Sequence, residues 1–509
     1  MSIELTKTDI GTAEVLYDNF AEQGIDCDIS LPDYCPDIMR ILRCSVTNSI
    51  TNSKISGDRA TVDGNAKIRI VYADDKNGIY CYEQDYPFSK FSELTQTYDG
   101  AVLCSSAKTE YANCRAVSKK RIDIHGVVSI RFKIVGIKNE SVITDAEGDG
   151  IQLRKKKIGT DSVAAVVMKK FQLSQTEEAD GGEIGKIFYA CASPVLSETK
   201  IIKGKILLKG EAVLKVMYCS ATGENESVCV NYNLPFSEII DIESIDDSCK
   251  VSVGFNVDQV QAEPKTDNDG EYKYLNLGCD ICAVVTAYKT EDICVITDSY
   301  STQKEIDAKY KTETFTQILQ NLNDSIICRE SVDLSSMNPQ RIYAAIAQSP
   351  EAKSRFDADK MTVTGKIPLK FILIDGEGTP TFCEREAEFE YSRSIDAKGG
   401  NLHCDPKLFL TGYSCTLTSD GRAEFKAEMN ISADITETSE CRTLVSLKTV
   451  ENSELKKRHS SLVICFCNGG EKIWDIARKY NTTVEDIMSE NELTSDEIGE
   501  KMMLMIPVK

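Results

Sequence analysis

Gly64-Asn65-Ala66-Lys67-Ile68-Arg69-Ile70-Val71-Tyr72 alternates with a period of two. Ala66, Ile68, Ile70 and Tyr72 fall on one side of an extended chain, with Lys67 and Arg69 on the other, the signature of a half-buried strand. The pattern recurs twice. Gly210 is followed by Ala212, Leu214, Val216 and Tyr218, alternating with Val213 and Lys215; Gly365 is followed by Ile367, Leu369, Phe371 and Leu373, alternating with Pro368 and Lys370. Each glycine lies 23 residues after an apolar start, at Ile41-Leu42, Ile187-Phe188 and Ile342-Tyr343. Pro87-Phe88-Ser89 recurs as Pro235-Phe236-Ser237, and Tyr391-Ser392 takes that place in the third copy, the aromatic following its glycine by 24, 26 and 26 residues. Alternating stretches from Arg121 to Val135, Tyr274 to Tyr288 and Arg422 to Ile435 close the copies, with turn signals such as Asp375-Gly376 and Asp420-Gly421 between strands.

The starts are 146 and 155 residues apart, so each copy is a whole domain rather than a solenoid unit. The expected fold is mainly β: three antiparallel β-sandwich-like repeats and a small C-terminal βααβ domain. The repeats are placed at residues 1–150, with an N-terminal segment; 151–300; and 301–450, a connector and a diverged third copy in which Pro368 interrupts a strand. Ser162 to Gln172 reads as strand or short helix. Thr314 to Asn323 reads as helical, from Phe315, Ile318 and Leu319. Polar residues 451–460 read as a linker to residues 461–509.

Composition narrows the function. The formal charge is −21 over 509 residues. The densest basic run, Arg154-Lys155-Lys156-Lys157, reads as a solvated loop or strand edge, so nucleic acid and anionic membranes are not expected partners. No apolar run reaches about 18 residues, so no membrane span is expected. The N-terminus has no basic and then apolar leader, so the chain is not expected to be secreted. Twenty cysteines are scattered, many in apolar strand-like runs (Cys191, Cys219, Cys229, Cys294), as buried thiols are in a reducing cytosol. Cys279 and Cys282 form the one CxxC, far from His125, His403 and His459, and read as buried thiols, not a metal site. No GxSxG, P-loop, GxGxxG or HExxH occurs, and acidic pairs such as Asp246-Asp247 sit in loops; no catalytic residue, metal or cofactor is expected.

The C-terminal segment is compact. Leu462 to Phe466 reads as a strand and Gly469-Gly470 as a turn. Ile473, Ile476, Ala477 and Tyr480 make one helix face. Thr482 with Glu485 suggests a capping box for a second helix carrying Val484, Ile487 and Met488, which Asn491 and Leu493 close. Leu504 and Ile506 close a last strand. Gly470-Glu471, Ile473 to Ala477, Tyr480-Asn481, Thr483 to Ile487, Asn491-Glu492-Leu493 and Ile506-Pro507 resemble the LysM family. The resemblance implies a groove for N-acetylglucosamine polymers between residues 469–473 and 491–501. The candidate contacts are Gly470, Glu471, Lys472, Ile473, Trp474, Asn491, Leu493, Lys501 and Met502. Two departures weaken the sugar reading: Lys472 replaces a small hydroxyl, and Glu500-Lys501-Met502 replaces a Pro-Gly-Gln turn that lets backbone approach closely. Met502, Met503 and Met505 offer a soft apolar patch suited to protein. Trp474 reads either as an anchor or as a partly buried helix residue.

Leu31-Pro32-Asp33-Tyr34-Cys35-Pro36-Asp37 opens the first copy, as an interaction surface or as an entry turn. It resembles the opening signature of SPOCS domains of sporulation-associated proteins, as the glycine and Pro-Phe-Ser landmarks also do, over about residues 25–450. SPOCS domains joined to one LysM domain resemble clostridial sporulation proteins that partner the stage IV sporulation ATPase. The resemblance implies a non-enzymatic spore-coat assembly factor, cytoplasmic in the mother cell at the forespore surface. Its partners would be that ATPase and other coat-assembly proteins. The alternative is binding to peptidoglycan of the cortex or wall.

Overall fold

The computed structural model describes residues 3–180, 182–220, 227–357, 360–395, 401–454 and 462–507. Three repeated units and a small terminal module follow one another. The first unit contains β1 (Glu4–Ser30), β2 (Arg40–Ser56), β3 (Arg59–Ala73), β4 (Ile79–Glu93), β5 (Val102–Ala116) and β6 (Arg121–Glu147). One antiparallel sheet has the order β1-β6-β5 and another β2-β3-β4. The alternation that marks the strands also sets their faces. Ala66, Ile68, Ile70 and Tyr72 of β3 meet Ile122, Ile124, Val128, Ile130, Phe132 and Ile134 of β6 in a sandwich core. Each such large side chain stabilises by about 1.5–3 kcal/mol relative to exposure.

The second unit repeats this with β7 (Ile151–Glu178), β8 (Ile184–Ile202), β9 (Lys205–Ser220), β10 (Ser227–Asp241), β11 (Lys250–Lys265) and β12 (Tyr274–Ser301). The third has β13 (Lys304–Asp333), β14 (Pro339–Ala347), β15 (Glu351–Asp357), β16 (Lys360–Asp375), β17 (Pro380–Ser394), β18 (Asn401–Cys404), β19 (Lys407–Leu417) and β20 (Arg422–Glu454). Here two strands are each split in two, and Pro368 explains one split. It lies in central β16, and its carbonyl accepts from Gln348 N at 2.9 Å. Its backbone therefore faces the neighbour across which a proline cannot donate. There the neighbour breaks into β14, ending opposite Leu369, and β15, starting opposite Lys366.

Gly64, Gly210 and Gly365 sit opposite Phe88, Phe236 and Phe389. A Cβ at these glycines would lie 2.4, 2.6 and 2.5 Å from the rings, and 2.3, 2.1 and 2.3 Å from the carbonyl oxygens of Ser49, Val195 and Glu351. Only glycine leaves room for the aromatic across the strand. The third-copy aromatic is thus Phe389, not Tyr391. Tyr391 lies two residues on and donates its hydroxyl to Asp324 at 2.7 Å.

Among the β-bulges that recur at equivalent places, two sets shape how the units pack. The first places Leu42, Phe188 and Tyr343 as extra residues against the central strands. These three bulged residues are buried together with Val71, Met217 and Ile372, each seven residues after its unit's glycine. Phe188 and Tyr343 stack with ring centroids 6.3 Å apart. This hub joins the outer faces of all three units. The second set places Leu16, Ala164 and Leu319 as the extra residues. Each lies 14 residues before the end of its strand, at Ser30, Glu178 and Asp333.

Beyond the second set, β1 with β6, β7 with β12, and β13 with β20 continue as long two-stranded ribbons. At about 3.3 Å per residue, the 27-residue β1 would reach roughly 85 Å if straight. The ribbons pack on one another through Ile10, Val142, Ile158, Val295, Phe315 and Cys441, and through Ile143, Ala146, Ile296, Leu444 and Leu447.

This arrangement corrects some expectations and bears out others. Thr314 to Asn323 is strand, not helix, and the register shift beside Leu319 produces the spacing that reads as helical. Ser162 to Gln172 is likewise strand, with Ala164 as its bulge. The first four residues of the expected linker continue β20, and 455–460 lie outside the described residues. Arg154 to Lys157 lie on β7, at the edge of its sheet, where Lys155 pairs with Asp145 and Lys157 with Asp292, both at 2.8 Å. Cys279 and Cys282 are buried on β12, but Cys229 and Cys294 are exposed rather than buried.

Lys215, in β9, is 3% exposed. Among the described residues its ammonium has no hydrogen-bond partner, and it lies 3.2 Å from the centre of the Tyr413 ring in β19. Burial pushes its pKa down to about 8. Below that pH the folded chain holds a desolvated charge. As pH rises from about 8 toward 10.5, the folded chain gives up this proton before the unfolded chain does, so the cost fades and stability rises. Lys215→Met is expected to stabilise the chain at pH 7 by roughly 1–3 kcal/mol, an advantage that shrinks toward pH 10 in urea melts. A constant difference across that range would contradict this. Gly210→Ala is expected to cost about 3 kcal/mol in the same melts, since carbonyl and ring both have to move. An unchanged midpoint would show that the aromatic does not fix the strand.

Candidate functional site

The terminal module is β21 (Leu462–Cys467), α1 (Ile473–Tyr480), α2 (Val484–Glu490) and β22 (Met502–Pro507). Cys467, Ile473, Ile476, Ala477, Ile487, Ile498, Leu504 and Ile506 form its core. Asn481, at φ 57°, ends α1 in the left-handed conformation. The cap of α2 is Thr483, whose hydroxyl accepts from Asp486 N at 2.9 Å, rather than Thr482. Thr482 is buried instead.

The two loops expected to frame a glycan groove are stitched to each other. Gly470 N donates to Ile498 O at 2.7 Å, Ile498 N to Glu471 O at 3.0 Å and Ile473 N to Asp496 O at 2.9 Å. Lys472 and Glu497 form an antiparallel bridge. A Cβ on Gly469 would lie 2.8 Å from Gly499 O, so close backbone approach here serves loop against loop. Gly470 takes φ 86° at the turn. Glu471, Lys472 and Lys501 are exposed, Leu493 is half-buried and Ile473 is fully buried.

Trp474 faces the body of the chain. Its indole N–H donates to Asp298 Oδ2 at 2.9 Å, its ring meets the edge of Tyr300 with centroids 4.9 Å apart, and it is only 8% exposed. Arg478 reaches the same carboxylate at 2.9 Å, and the Tyr300 hydroxyl donates to Thr482 O at 2.8 Å. Burial pushes the Tyr300 pKa up, which keeps it a donor. Thr297 is an extra residue in β12 beside Asp298, and a bulge there redirects the side chains that follow. Asp298 and Tyr300, two apart on one face, thereby reach the module together.

The outer face of the β21–β22 sheet is apolar and open. Leu462, Ile464 and Phe466 are 43%, 57% and 73% exposed, and Met503 and Met505 are 53% and 38% exposed. Met502 packs inward with the core, so the methionine patch divides between two faces. Sequence reading missed Leu462, Ile464 and Phe466; their alternation with Val463, Cys465 and Cys467 was the available signal. Asn491 lies beside β22: its Oδ1 accepts from Met505 N at 2.7 Å and its Nδ2 donates to Met505 O at 2.6 Å.

The opening motif lies far away in sequence and forms the turn between β1 and β2. Leu31 N donates to Lys120 O at 2.7 Å, and Asp37 pairs with Lys119 and Lys120 at 3.6 and 3.4 Å. Leu31 is buried, Pro32 and Pro36 half-buried, Asp33 and Asp37 exposed, and Tyr34 86% exposed. Tyr34 and Pro36 line a cavity of about 320 Å³ with Tyr72, Tyr80, Phe188 and Tyr343, beside the hub. Among the described residues no group of three or more His, Cys, Asp or Glu side chains is placed to hold a metal ion, and no helix is long and apolar enough to cross a membrane.

The family model described as SipL, SPOCS domain, matches residues 37–117 and 183–265, and the LysM domain model matches residues 470–507. The SPOCS matches run from the opening of β2 to β5 and from β8 to β11; the third unit shares this strand order. No curated protein and no solved structure gives a match.

Trp474 is the one tryptophan of the chain, so its fluorescence reports this contact alone. Asp298→Ala removes the shared acceptor of Trp474 and Arg478. A red-shifted emission and a module loosened by about 1.5–3 kcal/mol are expected, the range for hydrogen bonds to charged groups. Emission identical to the parent would mean that the contact does not hold in solution.

Proposed function

We propose, taking the chain as a SPOCS–LysM protein, that it is a non-enzymatic assembly factor of the spore envelope, acting by protein–protein contact. The domain content supports the coarser part: SPOCS and LysM are non-catalytic families, and together they suggest a sporulation protein carrying a domain of the peptidoglycan-binding type. The partner is the stage IV sporulation ATPase, engaged through the LysM domain at the forespore surface in the mother-cell cytoplasm, with other coat-assembly proteins as further contacts. One observation favours protein over sugar: the two loops that would hold a glycan spend backbone groups on each other, while an apolar sheet face stays open. Such a face suits a protein better than a polyhydroxylated polymer. The second reading, peptidoglycan of cortex or wall, rests on the LysM match itself.

Pull-down of the purified ATPase by the full chain, beside co-sedimentation with insoluble peptidoglycan, separates the two. Capture of the ATPase, lost when residues 461–509 are removed, is expected, with little sedimentation. Sedimentation without capture would move the assignment to glycan. Capture that survives the truncation would shift the contact to the SPOCS body.

A further inference from the structure

The hydrogen bonding of β22 determines what the other side of its sheet can accept. Both main-chain groups of Met505 are engaged by the Asn491 amide, on the side away from β21. Met505 and Ile464 therefore form a cross-strand pair that shares no ladder hydrogen bonds. The N–H and C=O of Ile464 then point off the free side of β21, and those of Phe466, two residues on, point the same way. Among the described residues no strand pairs with β21 there. Asn491 thus mimics a neighbouring strand at one edge of the sheet, and the other edge is left open.

That edge also lacks the usual guards. Neither strand contains a charged residue, and β21 has neither proline nor bulge. The side chains beside the open backbone are Ile464 and Phe466, flanked by Met503 and Met505. Backbone groups exposed at every second residue fit an extended chain, not a helix or a sugar polymer.

We infer that β21 is a strand-addition site: it takes an extended segment of the partner protein, apolar at alternate positions and flanked by basic residues. Charge decides the flanks and disfavours a second copy of the chain. Residues 462–507 carry nine Asp or Glu against four Lys or Arg, within a chain of net charge −21. Backbone pairing supplies affinity, and the apolar stripe selects the side chains. The inference rests on the protein-binding reading above and specifies how that contact is made.

Hydrogen–deuterium exchange on the full chain, free and with the purified ATPase, tests it alongside binding of two variants. Ile464→Pro removes a donor from the open edge and none from the β21–β22 ladder; Phe466→Ser removes apolar surface. Unchanged Trp474 emission in each shows that the module is folded. Slower exchange at Ile464 and Phe466 in the complex is expected, with capture weakened about tenfold or more in both variants. If the parent captures the ATPase while these amides stay unprotected and Ile464→Pro binds normally, strand addition is wrong and the protein-binding reading survives. If the parent does not capture the ATPase, both fall. A dimer of the free chain that Ile464→Pro dissolves would give the edge to a second copy and overturn the inference.

Discussion

The structure depends on a single packing constraint: the central strands β3, β9 and β16 become apolar on both faces toward their C-terminal ends, and a two-sheet sandwich covers only one. Val71, Met217 and Ile372 point away from their own cores. Left exposed, they would form the kind of contiguous apolar patch that drives association. The chain covers them by bringing three units together. The means is a bulge, one extra residue per unit, which turns Leu42, Phe188 and Tyr343 toward the common centre. Because the extra residue is built into the backbone, side-chain rotation cannot undo it. The three units therefore meet in one arrangement instead of swinging on linkers.

The second set of bulges extends that logic along the strands. Near the sandwich β1, β7 and β13 serve their own cores, and beyond Leu16, Ala164 and Leu319 they serve the neighbouring ribbons. A strict period of two would keep one face buried throughout and leave the ribbons polar where they meet. One inserted residue exchanges the faces at the height where the neighbours change. The bulge beside Asp298 does comparable work nearer the end of β12, directing a carboxylate and a tyrosine onto the LysM module.

Much of this was legible in the sequence because the repeat preserves spacing. The glycine positions, the strand alternation and the starts of β6, β12 and β20 all follow from local pattern, as does the βααβ order of the module. What failed did so where long-range packing overrides local signals. Phe315, Ile318 and Leu319 imitate a helix because a bulge breaks the period of two, and no window of sequence separates these cases. Tyr391 drew attention as the third aromatic, although the ring opposite Gly365 is Phe389, at the same interval of 24 residues as in the first copy. Cys229 and Cys294 sit in apolar runs yet face solvent, since alternation does not say which face is covered. The role of Trp474 was undecidable because Asp298 lies 176 residues away. The structure buries it on α1, as the helix-residue reading has it, against a partner that no local pattern names.

The module's surfaces divide among three tasks. One side, with Trp474 and Arg478, holds it to β12. The loops around Gly470 and Ile498 hold each other. The outer face of β21 and β22 satisfies nothing within the described residues. Mutations on the first two surfaces disturb the fold or the placement of the module, so lost binding there has two explanations. Ile464, Phe466, Met503 and Met505 support neither the core nor the dock, so their cost in exposed apolar area has no structural return within the described residues. Fixing the module on the body through a carboxylate and two aromatic rings presents that face in a set direction. Orientation matters here as much as affinity, because a rigidly held edge loses less freedom on meeting a partner than one on a free tether.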